Sequence, residues 1–428
     1  MLRHITIRNF GPISDVSLEV QRLIVFIGPQ SSGKSTIAKC ISFGLWLEKN
    51  ITIYQDTSHL TQESLHQHFI TFHRFGSYLT DKSFLQYKCD FFTFQYNDGK
   101  YTLTVNNDLI PAHLGKVSYI PSERNIVSLP NITSLKLGAD YMRDFLFDWL
   151  LLRSKFTSTE PLPILNLGVK YYYDENLGDR IILDSGKEIS LYEASSGLQS
   201  AVPMIGSVIY STQWVFENEA DMSFDKHILL RKNLLKRLHK IDPSFNADTI
   251  GQDLDKGDYY LLEFTEEGGA SQPKHRMPLN EILDVYASQL NRPVYSALII
   301  EEPEQNLYPD TQQSALNLLL SAFNRTPDNQ LIITSHSPYL INWLSIALKA
   351  GQVLKRHATA LEEVSSVIPA SSAIDCAHIA IYEVSTNGTI QQLNLVDGIP
   401  DDQNLLNEFL EQSNQSFDRL IDIDEITK

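Results

Sequence analysis

The nonapeptide Gly28-Pro29-Gln30-Ser31-Ser32-Gly33-Lys34-Ser35-Thr36 restricts the fold of this chain more than any other feature. It follows the apolar run RLIVFI (22–27), which reads as a central strand buried on both faces. It precedes STIAKCISFGLWLEK, which has helical periodicity. A GxxxxGK[ST] pattern between a strand and a helix is a phosphate-binding P-loop. Gly28 and Gly33 allow the backbone to turn its N–H groups inward, and the helix start after Gly33 favours an anion. Lys34 reaches terminal phosphates and the Ser35 hydroxyl is a magnesium ligand, with Gln30, Ser31, Ser32 and Thr36 completing the candidate nucleotide-binding loop. A nucleotide with β- and γ-phosphates, together with Mg²⁺, is therefore the expected ligand, on an α/β fold.

Three further segments carry chemistry. Ala297-Leu298-Ile299-Ile300-Glu301-Glu302-Pro303-Glu304 is an apolar strand ending in carboxylates. Glu301 is assigned to the metal side and Glu302 to orienting or deprotonating an attacking water. Thr334-Ser335-His336-Ser337-Pro338 ends the next apolar run, and a histidine there is placed to sense a γ-phosphate. Ser195-Ser196-Gly197-Leu198-Gln199 opens an apolar helix. It reads both as an N-cap and as a second phosphate-binding helix end, with Ser195, Ser196, Gly197 and Gln199 as candidates.

The remaining sequence bounds the function. Thirty-five basic against 52 acidic side chains give a net charge of −17, which excludes a generically basic nucleic-acid binder but not a local patch. Cys40, Cys89 and Cys376 lie far apart without zinc or disulfide spacing. No apolar run approaches the ~18 residues of a membrane span, and the start lacks a signal-peptide core. A cytoplasmic protein is expected. His59, His66 and His73 recur every seventh residue, too far apart for one ion, so this stretch with His68 reads as a solvated helix surface. Residues 85–106 read as a hairpin turning at Asn97-Asp98-Gly99. Residues 215–292 read as an insertion with a basic helix, 226–240, that meets nucleic acid or an acidic partner, or simply packs on the head.

As a set, these motifs resemble the ABC-type ATPase heads of the RecF and SMC superfamily. The resemblance assigns Walker A to 28–36, the signature to 195–199, Walker B to 297–302, the D-loop to 305–309 and the switch histidine to His336. The strings IIEEPEQNLYP and IITSHSPYLI look most like the overcoming-lysogenization-defect (OLD-like) ATPases, and the opening IRNFGPI is similar to their N-terminal strand pair. It implies a P-loop head with a mixed β-sheet and a helical signature lobe. About 260 residues without a long heptad run separate Walker A from Walker B, so no long coiled coil is expected. The expected organisation is 1–121 and 293–350 as two parts of one ATPase core, 122–292 as signature lobe with insertion, and 351–428 as an α/β extension.

The departures are specific. Val117-Ser118-Tyr119-Ile120-Pro121 is followed by Ser122-Glu123-Arg124 where such heads carry a Q-loop glutamine, so Glu123 or Ser122 takes its place near the metal. Walker B has Glu301 where Asp is common. Arg8, Asn9 and Phe10 fall near the expected adenine position. The stretch after His336 is short for the Toprim domain of OLD-like nucleases, so an effector nuclease is expected on another chain, as in the anti-phage systems Septu and PARIS. Asp422, Asp424 and Glu425 read as a solvated tail. The resemblance thus implies ATP hydrolysis coupled to homodimer or higher homo-oligomer closure through shared ATP sites, controlling a separate nuclease or toxin, with no membrane. The alternatives are a non-hydrolysing nucleotide-dependent scaffold that holds a toxin, and a RecF-like DNA repair ATPase.

Overall fold

The computed structural model describes residues 2–111, 114–130, 132, 135–217, 260–267, 270–278 and 292–426. The N-terminal strands β1 (His4–Phe10) and β2 (Ile13–Glu19) pair antiparallel, and β3 (Leu23–Ile27) leads into the P-loop and α1 (Lys34–Tyr54). A short α2 (Gln62–His66) runs into a π-helical turn, Gln67–Thr71. Strands β4 (Phe84–Lys88), β5 (Phe92–Asn97) and β6 (Lys100–Val105) follow, then β7 (Leu114–Ile120) and α3 (Tyr141–Leu152). Four short strands, β8 (Leu162–Ile164), β9 (Val169–Asp174), β10 (Gly178–Ile182) and β11 (Glu188–Ser190), precede α4 (Ser196–Ile209). Strands β12 (Tyr260–Glu267) and β13 (Ala270–Pro278) form a hairpin. The chain returns through β14 (Pro293–Glu301), α5 (Pro309–Asn324), β15 (Gln330–Ser335) and α6 (Pro338–Arg356). It continues through β16 (Ile379–Val384) and β17 (Ile390–Gln392) to α7 (Leu405–Ile426).

The central sheet has the order β17-β16-β3-β15-β14-β7. Five of its strands are parallel and β17 is antiparallel to β16, so the sheet is mixed. Alternation within the parallel strands sorts the core. Leu23, Val25, Ile27, Leu298, Ile300, Leu331 and Ile333 join the cluster under α4, α5 and α6. Ile24, Phe26, Ala297, Ile299 and Ile332 face α1 and a five-stranded antiparallel sheet, β2-β1-β4-β5-β6. A strand covered on both faces must be apolar at every position, which is why RLIVFI, SALII and QLIIT show no polar alternation.

Some expectations change here. Residues 351–428 contribute to the core sheet itself: β16 pairs in parallel with β3, and β17 lies at its edge. The stretch FLQYKCDFFTFQY is two strands, because a turn at Cys89-Asp90-Phe91, closed by Cys89 N–H donating to the Phe92 carbonyl at 3.0 Å, folds β5 back on β4. Of the four histidines expected on a solvated face, only His66 is exposed. His73 is 2% exposed, His68 stacks on Trp46 with centroids 4.2 Å apart, and His59 stacks on Tyr54 at 3.9 Å. Flat rings with one wet edge pack well against aromatic neighbours, which polarity along the sequence does not reveal. Among the described residues, no three His, Cys, Asp or Glu side chains gather as a metal site, and no helix is long and apolar enough to cross a membrane. The basic segment 226–240 lies outside the described residues.

One buried ion pair ties the antiparallel sheet to α1. Arg3 donates to both Glu48 oxygens at 2.7 and 2.8 Å, and the Tyr87 hydroxyl donates to the same carboxylate at 2.7 Å. Arg3 and Glu48 are 7% and 4% exposed. Removing one partner strands a charge in the core, so Glu48→Ala is expected to cost about 3–5 kcal/mol. Urea unfolding checks this; a loss below ~1 kcal/mol, the scale of exposed pairs, would mean that the pair is effectively solvated.

Candidate nucleotide site

Parallel pairing puts the ends of β3, β15, β14, β7 and β16 on one edge of the sheet. Ile27 is in register with Ser335 and with Glu383, Glu301 with Thr334, and Ile120 with Ile300. Five segments distant in sequence therefore meet where the strands end, the usual ligand edge of an open α/β sheet.

The P-loop leaves β3 through Gly28 at φ 141°, where an added Cβ would lie 2.3 Å from the Val384 carbonyl oxygen on β16. Only glycine fits that approach. Gly33, at φ 107°, caps α1, and Ser31 takes a left-handed φ of 62°. Gln30 and Ser31 are exposed and Ser35 is half-buried, while Ser32 and Thr36 are buried. The Ser32 hydroxyl is buried without a hydrogen-bond partner, as expected of a group that awaits an anion. Lys34 Nζ donates to the Gly28 and Pro29 carbonyls at 2.9 and 2.7 Å and lies 3.4 Å from His336 Nδ1. Burial brings the Lys34 ammonium down to about 8, against the opposing pull of Glu302 and Glu304.

The carboxylates divide into distinct settings. Glu301, 3% exposed, accepts from the Tyr119 hydroxyl at 2.5 Å and from the Ser122 N–H and hydroxyl at 3.3 Å. Glu302 sits at a left-handed φ of 45°, and its Oε1 lies 3.4 Å from His336 Nε2. The hydrogen bond with His336 holds its carboxyl below the usual range despite partial burial. Glu123 accepts from Tyr141 at 3.1 Å, and the one Ser122 hydroxyl proton is shared between Glu123 and Glu301, each at 3.3 Å, so of the two candidate Q-loop substitutes it is Ser122 that touches Walker B directly. Glu304 is the carboxylate that sequence reading missed. It accepts from the Ser335 hydroxyl at 2.8 Å and the His336 N–H at 2.7 Å, so it fixes the backbone that presents the histidine, and burial raises its pKa.

The signature residues take another place. Ser195 caps α4 by accepting from Leu198 N–H at 3.4 Å, and Ser195 and Ser196 are exposed. An added Cβ on Gly197 would lie 2.8 Å from the Asn306 carbonyl oxygen, so this glycine lets α4 sit against the D-loop. Gln199 donates to the Tyr192 carbonyl at 2.8 Å and so braces the preceding turn. Among the described residues no hydrogen bond joins 195–199 to the P-loop of the same chain. Phe10, expected near adenine, is fully buried with its ring 4.9 Å from Phe75, and no face is open to a base.

Arg124 connects these pieces. Fully buried, it donates to the Glu301 and Glu302 carbonyls at 2.7 and 2.8 Å, to Pro121 at 3.2 Å and to Ser200 on α4 at 3.0 Å. Its charge is offset by nearby Glu304, Glu302 and Glu301 rather than by a touching carboxylate. No motif marks it; its one sequence signal is a cation directly after the Q-loop position. Arg124→Met leaves four carbonyls short of a donor, each worth about 1–3 kcal/mol when buried. It is expected to lower the unfolding midpoint clearly, and Arg124→Lys, lacking the planar fork, is expected to restore less than half of the loss. Denaturant melts of both variants check this; wild-type stability in Arg124→Met would dismiss the bracing role.

Comparison with known proteins agrees with this geometry at the coarse level. Residues 1–114 match a family model described as "AAA ATPase domain", and residues 217–342 match one described as "AAA domain, putative AbiEii toxin, Type IV TA system". The first match spans the P-loop and the second spans Glu301, Glu302 and His336. No curated protein matches the chain. Solved structures similar to it include the SMC head domain from Thermotoga maritima, at 11% identity and TM-score 0.30, covering 80% of this chain and 91% of that one. RecF-ATPrS of the RecFOR pathway has 10% identity and TM-score 0.29, with 92% and 98% covered. A nucleotide-free ATP-binding cassette from an ABC transporter has 12% identity and TM-score 0.27, with 93% and 94% covered. The family matches and the P-loop support a nucleotide-binding ATPase of the P-loop class.

Proposed function

We propose that the chain is an ATP-hydrolysing subunit whose heads close on ATP as a homodimer, and that this closure senses or controls a separate effector nuclease in anti-phage defence. The observation that carries the chemistry is one line of side chains. Lys34 Nζ lies 3.4 Å from His336 Nδ1, and His336 Nε2 lies 3.4 Å from Glu302 Oε1. The groups assigned to phosphate, to sensing and to water activation thus lie within reach of one another. The motif set resembling OLD-like ATPases supports the defence setting.

ATP is the substrate, its phosphates bound by the P-loop N–H groups and Lys34. Glu302 accepts the proton of the attacking water, and His336 sits where a γ-phosphate would disturb its contacts with Lys34 and Glu302. Mg²⁺ fits the donor set, which is all hard oxygen: the Ser35 hydroxyl, Glu301 and, through Ser122, Glu123. Glu301 accepts three hydrogen bonds of about four that a carboxylate can take, which leaves room for a contact through water. When bound, the ion neutralises charge on the β- and γ-oxygens. The exposed start of α4 supports a site shared between chains, since Ser195 and Ser196 are exposed and, among the described residues, make no hydrogen bond to their own P-loop.

Lys34→Ala is expected to lose tight ATP binding, measured directly with labelled nucleotide; unchanged affinity would refute the P-loop assignment. Glu302→Gln is expected to keep binding and to hydrolyse about 10²–10⁴-fold more slowly. If turnover is absent in wild type yet ATP still controls the effector, the non-hydrolysing scaffold becomes the better reading.

The shared site has its own test. Homomers of Lys34→Ala and of Ser196→Arg are each expected to be inactive, while a mixture regains up to one competent site per heterodimer. If subunits exchange, no activity returns and Ser196→Arg alone stays active, the composite site is wrong.

A further inference from the structure

We infer that the cavity between α1, the π-helical turn and α3 is a second ligand site, for a small organic anion with a ring body, and that its wall is joined to the metal side of the nucleotide site through Tyr119. The cavity has a volume of about 510 Å³, and none of its lining residues belongs to the P-loop. Small-molecule sites typically enclose about 300–1,000 Å³.

The lining is built for a polar guest. His73 lines it at 2% exposure, and its Nδ1 has no hydrogen-bond partner. Arg143 lines it as well, with its Nε buried and also without a partner. Buried polar nitrogens are nearly always paired, so two orphans among the residues lining one cavity mark its wall as incompletely satisfied; Arg143 Nε can only donate, and His73 Nδ1 donates or accepts according to its tautomer. Three basic side chains, Lys49, Lys116 and Arg143, line it together with two acidic ones, Asp144 and Asp148. Lys116 engages Asp148 at 3.3 Å. Burial and nearby Lys39 bring His73 down to about 3, so it meets the ligand as a neutral imidazole. Trp46, Phe72 and Phe145 supply the apolar surface, with His68 stacked on Trp46. Aromatic edges carry positive potential and suit an anionic ring compound.

The same wall leads to the nucleotide site. Tyr119 and Tyr141 both line the cavity, and their hydroxyls donate to Glu301 at 2.5 Å and to Glu123 at 3.1 Å. A ligand that shifts either ring moves a carboxylate assigned to the metal. By linkage, nucleotide must change the ligand's affinity by the same factor. This coupling rests on the ATPase reading above; the binding site itself does not.

The probe is 1-anilinonaphthalene-8-sulfonate, an aromatic monoanion, titrated into the full-length protein and followed by fluorescence. Saturable one-to-one binding is expected. Arg143→Met and His73→Phe should each weaken it by about tenfold, and Ala139→Trp, which fills the cavity, should abolish it. Lys34→Ala should bind the probe normally, which separates this site from the P-loop. Probe binding that ignores all three cavity variants, each melting like wild type, would overturn the site. Because His73 is buried, Ala139→Trp decides the matter if His73→Phe fails to fold. A non-hydrolysable ATP analogue should shift probe affinity about fivefold or more in wild type and not in Tyr119→Phe. An analogue that binds without shifting it would end the coupling while leaving the site.

Discussion

Five parallel strands ending on one edge are the constraint from which the site follows. The pairing of β3 with β15 and β16, and of β14 with β15 and β7, carries the P-loop, His336, the two glutamates and the Ser122–Arg124 turn to a common rim. Burial of the sheet on both faces makes a register slip expensive, because the central residues of these strands belong to one apolar cluster or the other. Chemistry at the rim therefore inherits its geometry from the hydrophobic core.

The rim is also held under some strain. Glu302 occupies a left-handed conformation that costs a non-glycine residue about 1–3 kcal/mol. Its N–H donates to the Thr334 carbonyl at 2.9 Å and its carbonyl accepts from Arg124 at 2.8 Å. Those two bonds aim the side chain at His336 instead of along the strand. Through Ser200, Arg124 also reaches α4, and Asn306 of the D-loop donates to the Ser200 hydroxyl at 3.2 Å. The start of α4 and the end of Walker B consequently form one braced unit. Rearrangement at either end would be felt at the other, the coupling that the proposed closure on nucleotide requires.

Local patterns were the easiest to read. Gly28, Gly33 and Lys34 act within a few residues of one another, so their spacing alone carries the loop geometry. Glu301 and Glu302 end an apolar run and His336 ends another, so strand ends were legible as well. Arg124, Glu304 and Tyr119 were not, because their partners lie far along the chain and an Arg, a Glu or a Tyr looks the same in sequence whether it is solvated or buried. The packing of His59, His68 and His73 is hidden in the sequence for the same reason, while His66 is exposed. Phe10 was placed at the nucleotide by resemblance, whereas packing put it into the aromatic core.

What the sequence determined by itself is the phosphate-binding loop, the apolar strands that must be covered on both faces, and the identity of the carboxylates and histidine at their ends. Each depends on backbone conformation, hydrophobic alternation or residue chemistry over a short span. Tertiary structure alone decided that β16 from the C-terminal stretch borders the P-loop, close enough to require Gly28. It also decided that a buried guanidinium gathers carbonyls from three motifs, and that Tyr119 joins a cavity to Glu301. Those relations arise when separated segments exclude water together, since only then does an unpaired polar group become costly enough to select its partner.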